Sequence, residues 1–137
     1  SALIKKAGKN YIFEIGKLLG KQMAIEEDQV DRKHDIYMAF ARSFKEEIIV
    51  DIPDGYTVEG LDRLNINVEN STGMFVSSAE IKNSKLHMQT LKQYNHSIEP
   101  VKNWPAMLEF LEAAYDLSQE KILLKKKSNT ASASLDR

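Results

Sequence analysis

"EEIIVDIPDGYTVEGLD", residues 46–62, carries an alternating apolar run that stops at Pro53-Asp54-Gly55 and resumes at once with Tyr56 and Val58. Ile48, Val50 and Ile52 recur at period two, the spacing that puts side chains on one face of a strand. Pro53 has no N–H to give to a central ladder, and Pro53 at the first corner with Gly55 just after suits a type I or II turn. The stretch therefore predicts a strand, a tight reversal and a second extended segment, with Pro53, Gly55 and Tyr56 as its structural corner. Gly55 is expected at positive φ, so that Ile52 and Tyr56 both return toward the core.

The same period runs outward in both directions. Upstream, Ile36, Met38 and Phe40 share one face of a strand, and Arg42-Ser43 reads as a bulge or bend rather than a hairpin turn. "NYIFEIG" (10–16) is a short β-prone run. "KLLGKQMAIEED" (17–28) reads as a turn plus extended chain carrying Leu18, Leu19, Met23 and Ile25, and the charged "EEDQVDRKHD" (26–35) as a solvated hairpin connection. Downstream, "LNINVEN" (64–70) alternates Leu64, Ile66 and Val68 against polar partners, and "NSTG" (70–73) is a turn. "MFVSSAEIK" (74–82) and "KLHMQTLKQYNHS" (85–97) form a hairpin about Asn83-Ser84, with Leu86, Met88 and Thr90 on one face of its second strand.

The period changes once, in "NWPAMLEFLEAAYDLSQEK" (103–121). Asn103 is placed as an N-cap and Pro105 lies in the first turn. Met107, Leu108, Leu111, Ala114 and Tyr115 lie on one helical stripe with Phe110 on its edge, giving a helix from Trp104 to Leu117. "KILLKKK" (121–127) reads as a closing strand that frays into basic residues, and "SNTASASLDR" (128–137) as a disordered polar tail. The fold expected is mainly β, an antiparallel β-sandwich of about seven or eight strands with one amphipathic α-helix near the C-terminus. Residues 1–9 read as an N-terminal lead-in in which Ser1-Ala2 has the form of a cleavage scar. Residues 10–127 read as the accessory β-sandwich domain and 128–137 as the tail.

Composition narrows the chemistry. The 137 residues suit one domain, and 19 basic against 20 acidic residues give a net charge of −1, with no long-range pull toward nucleic acid or anionic lipid. The absence of cysteine removes disulfides, thiolate metal sites and a cysteine nucleophile from this chain. No run reaches the roughly 18 apolar residues of a membrane span, so no transmembrane segment is expected. His34, His87 and His96 lack the spacing of a helical zinc motif and read as surface or structural residues; no metal and no cofactor is implied. Glu26-Glu27 and Glu46-Glu47 are sequence neighbours, which a strand points to opposite faces, so neither pair is an acid/base dyad. "LLKKKS" (123–128) has the chemistry to contact phosphate or acidic lipid, but three lysines at a chain end read first as a solubilising tail. Trp104, Tyr94 and Tyr115 are the candidate aromatic platform for a ligand; the competing reading makes Trp104 a plug where the helix docks on the sheet.

The order of these elements resembles a known domain. "DRKHDIYM" leads into a strand pair; "IIVDIPDGYTVEGL", "NVENSTGMFVSSAEI" and "LHMQTLKQY" follow; "NWPAMLEFLEAA" opens a helix and "KILLKKK" closes the chain. Together, over residues 10–127, they are similar to the C-terminal β-sandwich domain of unknown function that follows the papain-like core in transglutaminase-like proteins of the Bacteroidetes type. The most specific element is Ile52-Pro53-Asp54-Gly55-Tyr56, supported by Trp104-Pro105 and by Lys121-Ile122-Leu123-Leu124. The resemblance implies a non-catalytic accessory or interaction domain whose partner is the neighbouring transglutaminase-like domain of the same polypeptide. It also implies a periplasmic or cell-surface location, since members are exported. The family's catalytic cysteine, histidine and aspartate belong to the core, and no residue of this chain takes their place. The alternative function is a peptide- or glycan-binding β-sandwich module.

Overall fold

A computed structural model describes residues 3–20, 32–37 and 42–127. Two four-stranded antiparallel sheets and one helix account for most of them. The first sheet has the order β1 (Ile4–Ala7), β2 (Asn10–Phe13), β10 (Ile122–Lys126), β5 (Tyr56–Glu59). The second has the order β4 (Arg42–Asp51), β8 (Lys85–Tyr94), β7 (Gly73–Lys82), β6 (Ile66–Asn70). A two-stranded ribbon pairs β3 (Ile36–Tyr37) with β9 (Ile98–Glu99), and helix α1 spans Trp104–Ser118. The chain is thus mainly β with one helix near its C-terminus, as its patterning predicts. Ten strands are described, because short pieces such as β3 and β9 carry too few residues to show a period. Within the stretch read as a lead-in, Ile4–Ala7 forms β1 and pairs with β2 from Ile4↔Phe13 to Ala7↔Asn10.

One hydrophobic core joins both sheets to the helix. Phe13 and Ile122 come from the first sheet, Phe75, Leu86 and Met88 from the second, and Ile48, Val50, Ile52, Ile66 and Val68 pack against the cluster from its margins. Ile49, the odd residue in the β4 alternation, is 52% exposed on the other face. The helix supplies Trp104, Met107, Leu108, Phe110, Leu111, Ala114 and Leu117.

Several expectations change. Arg42-Ser43 is neither bulge nor bend: it opens a ten-residue ladder to β8 that runs without interruption from Arg42↔Tyr94 to Asp51↔Lys85. Phe110 lies fully buried rather than on the edge of the helical stripe, because α1 is covered on two sides, by β6 and β7 and by the 3₁₀ turn Ile15–Leu18. Asn103 precedes the helix but its side chain makes no cap; its Nδ2 donates instead to Glu99 Oε1 at 2.9 Å. The closing strand does not fray at its lysines. It lies between β2 and β5, and its ladder extends to Lys126↔Tyr56, with the Lys127 N–H donating to Gly55 O at 2.7 Å. Met23, Ile25, the charged 26–31 stretch, Met38, Phe40 and the 128–137 tail lie outside the described residues.

At the corner, the Tyr56 N–H donates to Pro53 O at 3.2 Å, so Asp54 and Gly55 are the two corner residues and Pro53 precedes them. Gly55 has φ +85°, the value a type II turn needs at its second corner. A Cβ there would meet nothing within 4 Å, so only the backbone resists a side chain. Gly16 is the opposite case. Its N–H donates to Glu120 O at 3.1 Å, and a Cβ would run into the carbonyls at the end of α1, 2.5 Å from Ser118 O. Gly55→Val should therefore cost about 1–2 kcal/mol from left-handed strain in a β-branched residue. Gly16→Ala should cost more, above roughly 1–3 kcal/mol, since backbone must move. Urea unfolding of the two variants against the parent chain checks both values and their order.

Candidate functional site

The Pro53-Asp54-Gly55 corner opens a cleft. Ile52 leaves β4, Tyr56 and Val58 line the edge strand of the first sheet, and Ile81 stands near the end of β7. With Pro53 and Gly55 they enclose about 420 Å³ at the mouth between the two sheets, with Asp54 and Lys127 also lining it. The far wall is held by the β7–β8 hairpin, whose Asn83 and Ser84 have φ +54° and +62°, the paired left-handed values of a type I′ turn. The Ile52 N–H donates to Ser84 O at 2.9 Å and ties the two walls together. Ile81 remains 44% exposed there. The cleft offers apolar area and rim charge. With no cysteine in the chain it has no thiol nucleophile, and its lining includes no histidine to serve as a base.

The three residues of the aromatic platform lie in different surroundings. Trp104 is 3% exposed, with the Arg32 guanidinium 5.0 Å from its ring centroid. Tyr94 is half-buried, its ring edge-on to Phe110 at 5.5 Å and to Phe44 at 6.4 Å. It lines a second cleft of about 290 Å³ with Arg42, Phe44, Glu46 and Lys92. Burial raises the Tyr94 phenol pKa against the opposing pull of Arg42. Burial also lowers that of Lys92, where Glu46 pulls upward and Arg42 downward. Tyr115 is half-buried and lines a shallow cavity of about 200 Å³ with Gly16, Lys17 and Ser118. Tyr94 and Tyr115 thus face separate spaces, and the indole belongs to the core.

Two charged clusters escaped the reading of the sequence. Glu99, 2% exposed, receives His96 Nδ1 on Oε2 at 2.7 Å and Asn103 Nδ2 on Oε1 at 2.9 Å. The His-Ser-Ile-Glu spacing of 96–99 is its only local trace. The result braces β9 against the entry to α1. Glu14, 7% exposed, pairs with Lys17 at 3.1 Å and faces Lys5 and Lys121 at 3.9 Å each. Only Lys17 is near it in sequence. Among the described residues no group of three or more His, Cys, Asp or Glu side chains could hold a metal ion, and no helix is long and apolar enough to cross a membrane.

The Lys17 hydrogen bond, helped by the charges of Lys17, Lys5 and Lys121 and opposed by desolvation, holds the Glu14 carboxyl below its ordinary pKa. A carboxylate depressed in the folded state stabilises the fold fully above its unfolded pKa, and that contribution disappears as pH falls through the lower folded value. Glu14→Gln should flatten this part of the acid limb while leaving the shape of the stability profile above pH 6 unchanged. Thermal midpoints of both proteins measured from neutral pH into the acid range check it.

Comparison with known proteins adds one finding. No curated protein and no solved structure compared with the chain matches it. A family described as a Domain of Unknown Function with solved-structure structure (DUF3858) matches residues 11–124. The match runs from Tyr11 in β2 to Leu124 in β10, so it takes in the second sheet, the helix, the corner at residues 52–58 and the first sheet apart from β1 and the end of β10. Covering well over half of the 137 residues, it places the chain in that family: the protein belongs to the DUF3858 domains.

Proposed function

We propose that the chain is a non-catalytic accessory and interaction domain of a larger, exported protein, docking through its corner cleft on a neighbouring transglutaminase-like core of the papain type. The observation that carries this reading over ligand binding is the burial of Trp104. An indole that is 3% exposed packs the helix onto the sheets and offers no face to a sugar or peptide. Acyl transfer of the papain type needs a thiolate, a histidine within hydrogen-bond reach and a third group to orient it. The chain has no thiol, so that chemistry would belong to the neighbour. The order of elements that resembles the Bacteroidetes-type C-terminal domain supports the same partner and a periplasmic or cell-surface setting. A second reading, a peptide- or glycan-binding module, draws on the Phe44–Tyr94 cleft, where an aromatic pair stands beside Arg42 and Lys92.

The experiment uses the parent protein. Removing residues 10–127 should lower the thermal midpoint of the core, its turnover, or both. Ile81→Glu gives the sharper test, since Ile81 is 44% exposed and a surface substitution of this kind should change the chain's own stability by only about 0.5 kcal/mol. In the parent, where the cleft would be filled, the same change should lower the midpoint by several degrees. A parent indifferent to both changes would overturn docking and move the weight to the ligand-binding module.

A further inference from the structure

The chain as a whole is nearly neutral, but its topology separates the charge. The first sheet with the turns at its ends (residues 3–18, 56–59 and 119–127) holds eight lysines against Glu14, Glu59 and Glu120. That is a surplus of five positive charges in a chain of net −1, so the remaining residues together carry −6. All eight lysines are exposed. At one end Lys5, Lys17 and Lys121 gather round the buried Glu14. The other end is different. There the β1–β2 turn brings Lys9, and the paired strands bring Lys6, Lys125, Lys126 and Lys127, to one rim. The Lys126 N–H donates to Asn10 Oδ1 at 2.9 Å, which fixes the end of β10 against the turn. Lys125 pairs with Glu59 at 3.3 Å, and Asp54 lines the corner cleft with Lys127. Among the described residues no carboxylate pairs with Lys6, Lys9 or Lys126.

We propose that this lysine-crowned end of the first sheet is a contact for an anionic membrane surface. Three features select that partner. The positions are all lysine, a compact point charge that suits phosphate headgroups, with none of the arginine forks that read bases or bind phosphate bidentately. By register Lys6 and Lys126 belong to the rows that face the core and Lys125 to the opposite face. The charges therefore crown the rim of a sheet, where they can meet a plane together, rather than lining a groove that tracks a strand of nucleic acid. Finally, the half-buried rings of Tyr11 and Tyr56, 5.8 Å apart, lie among these lysines, and tyrosine is the residue that settles at the headgroup level of a bilayer. Tyr56 and Lys127 border the corner cleft as well, but Lys6, Lys9, Lys125 and Lys126 lie outside its lining, so these four charges remain available whether or not a neighbouring domain fills that cleft.

Sedimentation of the chain with vesicles tests it. Vesicles of phosphatidylglycerol and phosphatidylcholine, one part to two, should bind at low salt. Vesicles of phosphatidylcholine alone should not, and binding should vanish near 1 M salt, where the screening length is about 3 Å. Lys6→Gln, Lys9→Gln and Lys126→Gln together should weaken partitioning by roughly fivefold for each lysine removed. Lys45→Gln with Lys102→Gln, which removes exposed lysines elsewhere, should leave it within about twofold. Circular dichroism confirms that both variants are folded. Equal binding to neutral vesicles, equal loss in the two variants, or no binding to anionic vesicles at low salt would overturn the proposal. So would binding to duplex DNA as tight as to anionic vesicles, which would make the crown a general polyanion contact.

Discussion

The insertion of β10 between β2 and β5 is the constraint on which the rest of the structure depends. Ile122 pairs with Phe13, and Leu124 stands between Tyr11 and Val58, so three distant pieces of chain become one sheet only when the last arrives. That sheet is the floor of the core, contributing Phe13 and Ile122 to the cluster that buries Leu86, Met88 and the inward residues of α1. The same insertion brings Lys127 to Gly55, which closes the corner cleft, and Lys121 to Glu14. Glu120 reaches Arg63 at 3.1 Å across the connection. Without β10, β5 and β2 would share no partner, and both the apolar mouth and the basic rim would lose their geometry.

What the residues reveal on their own follows from how local the physics is. The β7–β8 hairpin is legible because Asn83-Ser84 and two alternating runs lie within about twenty residues. Helix α1 is legible because its period and Pro105 are contiguous. Leu86, Met88 and Thr90 share a buried face for the same reason. Asn103 defeats a rule that is local: its amide is drawn to Glu99, a buried carboxylate whose need for donors outweighs a cap. Phe110 is central because α1 has two neighbours, and a single-stripe reading assumes one. The cluster round Glu14 joins Lys5, Lys17 and Lys121 from three elements, so no spacing announces it.

The candidate site was legible only in part. Ile52-Pro53-Asp54-Gly55-Tyr56 marks a reversal, and the reversal is there. That it borders a cleft depends on Ile81 and Lys127, which no pattern near residue 53 can supply. The aromatic trio shows the converse case, in which the plug reading of Trp104 matches its burial. Chemical type suggests Trp104, Tyr94 and Tyr115 as one surface, while packing places the indole in the core and the phenols beside different cavities. Net charge misleads in a related way. A total of −1 says nothing about eight lysines on one sheet and its end turns when the compensating carboxylates are spread over the rest of the chain.

The threading of β10 also sets an order of events during synthesis. The β6–β7–β8 meander, residues 66–94, pairs neighbours in sequence and can form while the chain is still emerging, on the microsecond scale of hairpins. Its inward residues, Phe75, Leu86 and Met88, are then apolar and uncovered. The strand that completes the opposing sheet comes more than a hundred residues after its partner Phe13. At roughly 5–20 residues per second, several seconds separate the two ends of that pairing on the ribosome. For that interval β2 stands with its future β10 side unpaired, the kind of open strand edge through which a nascent chain aggregates.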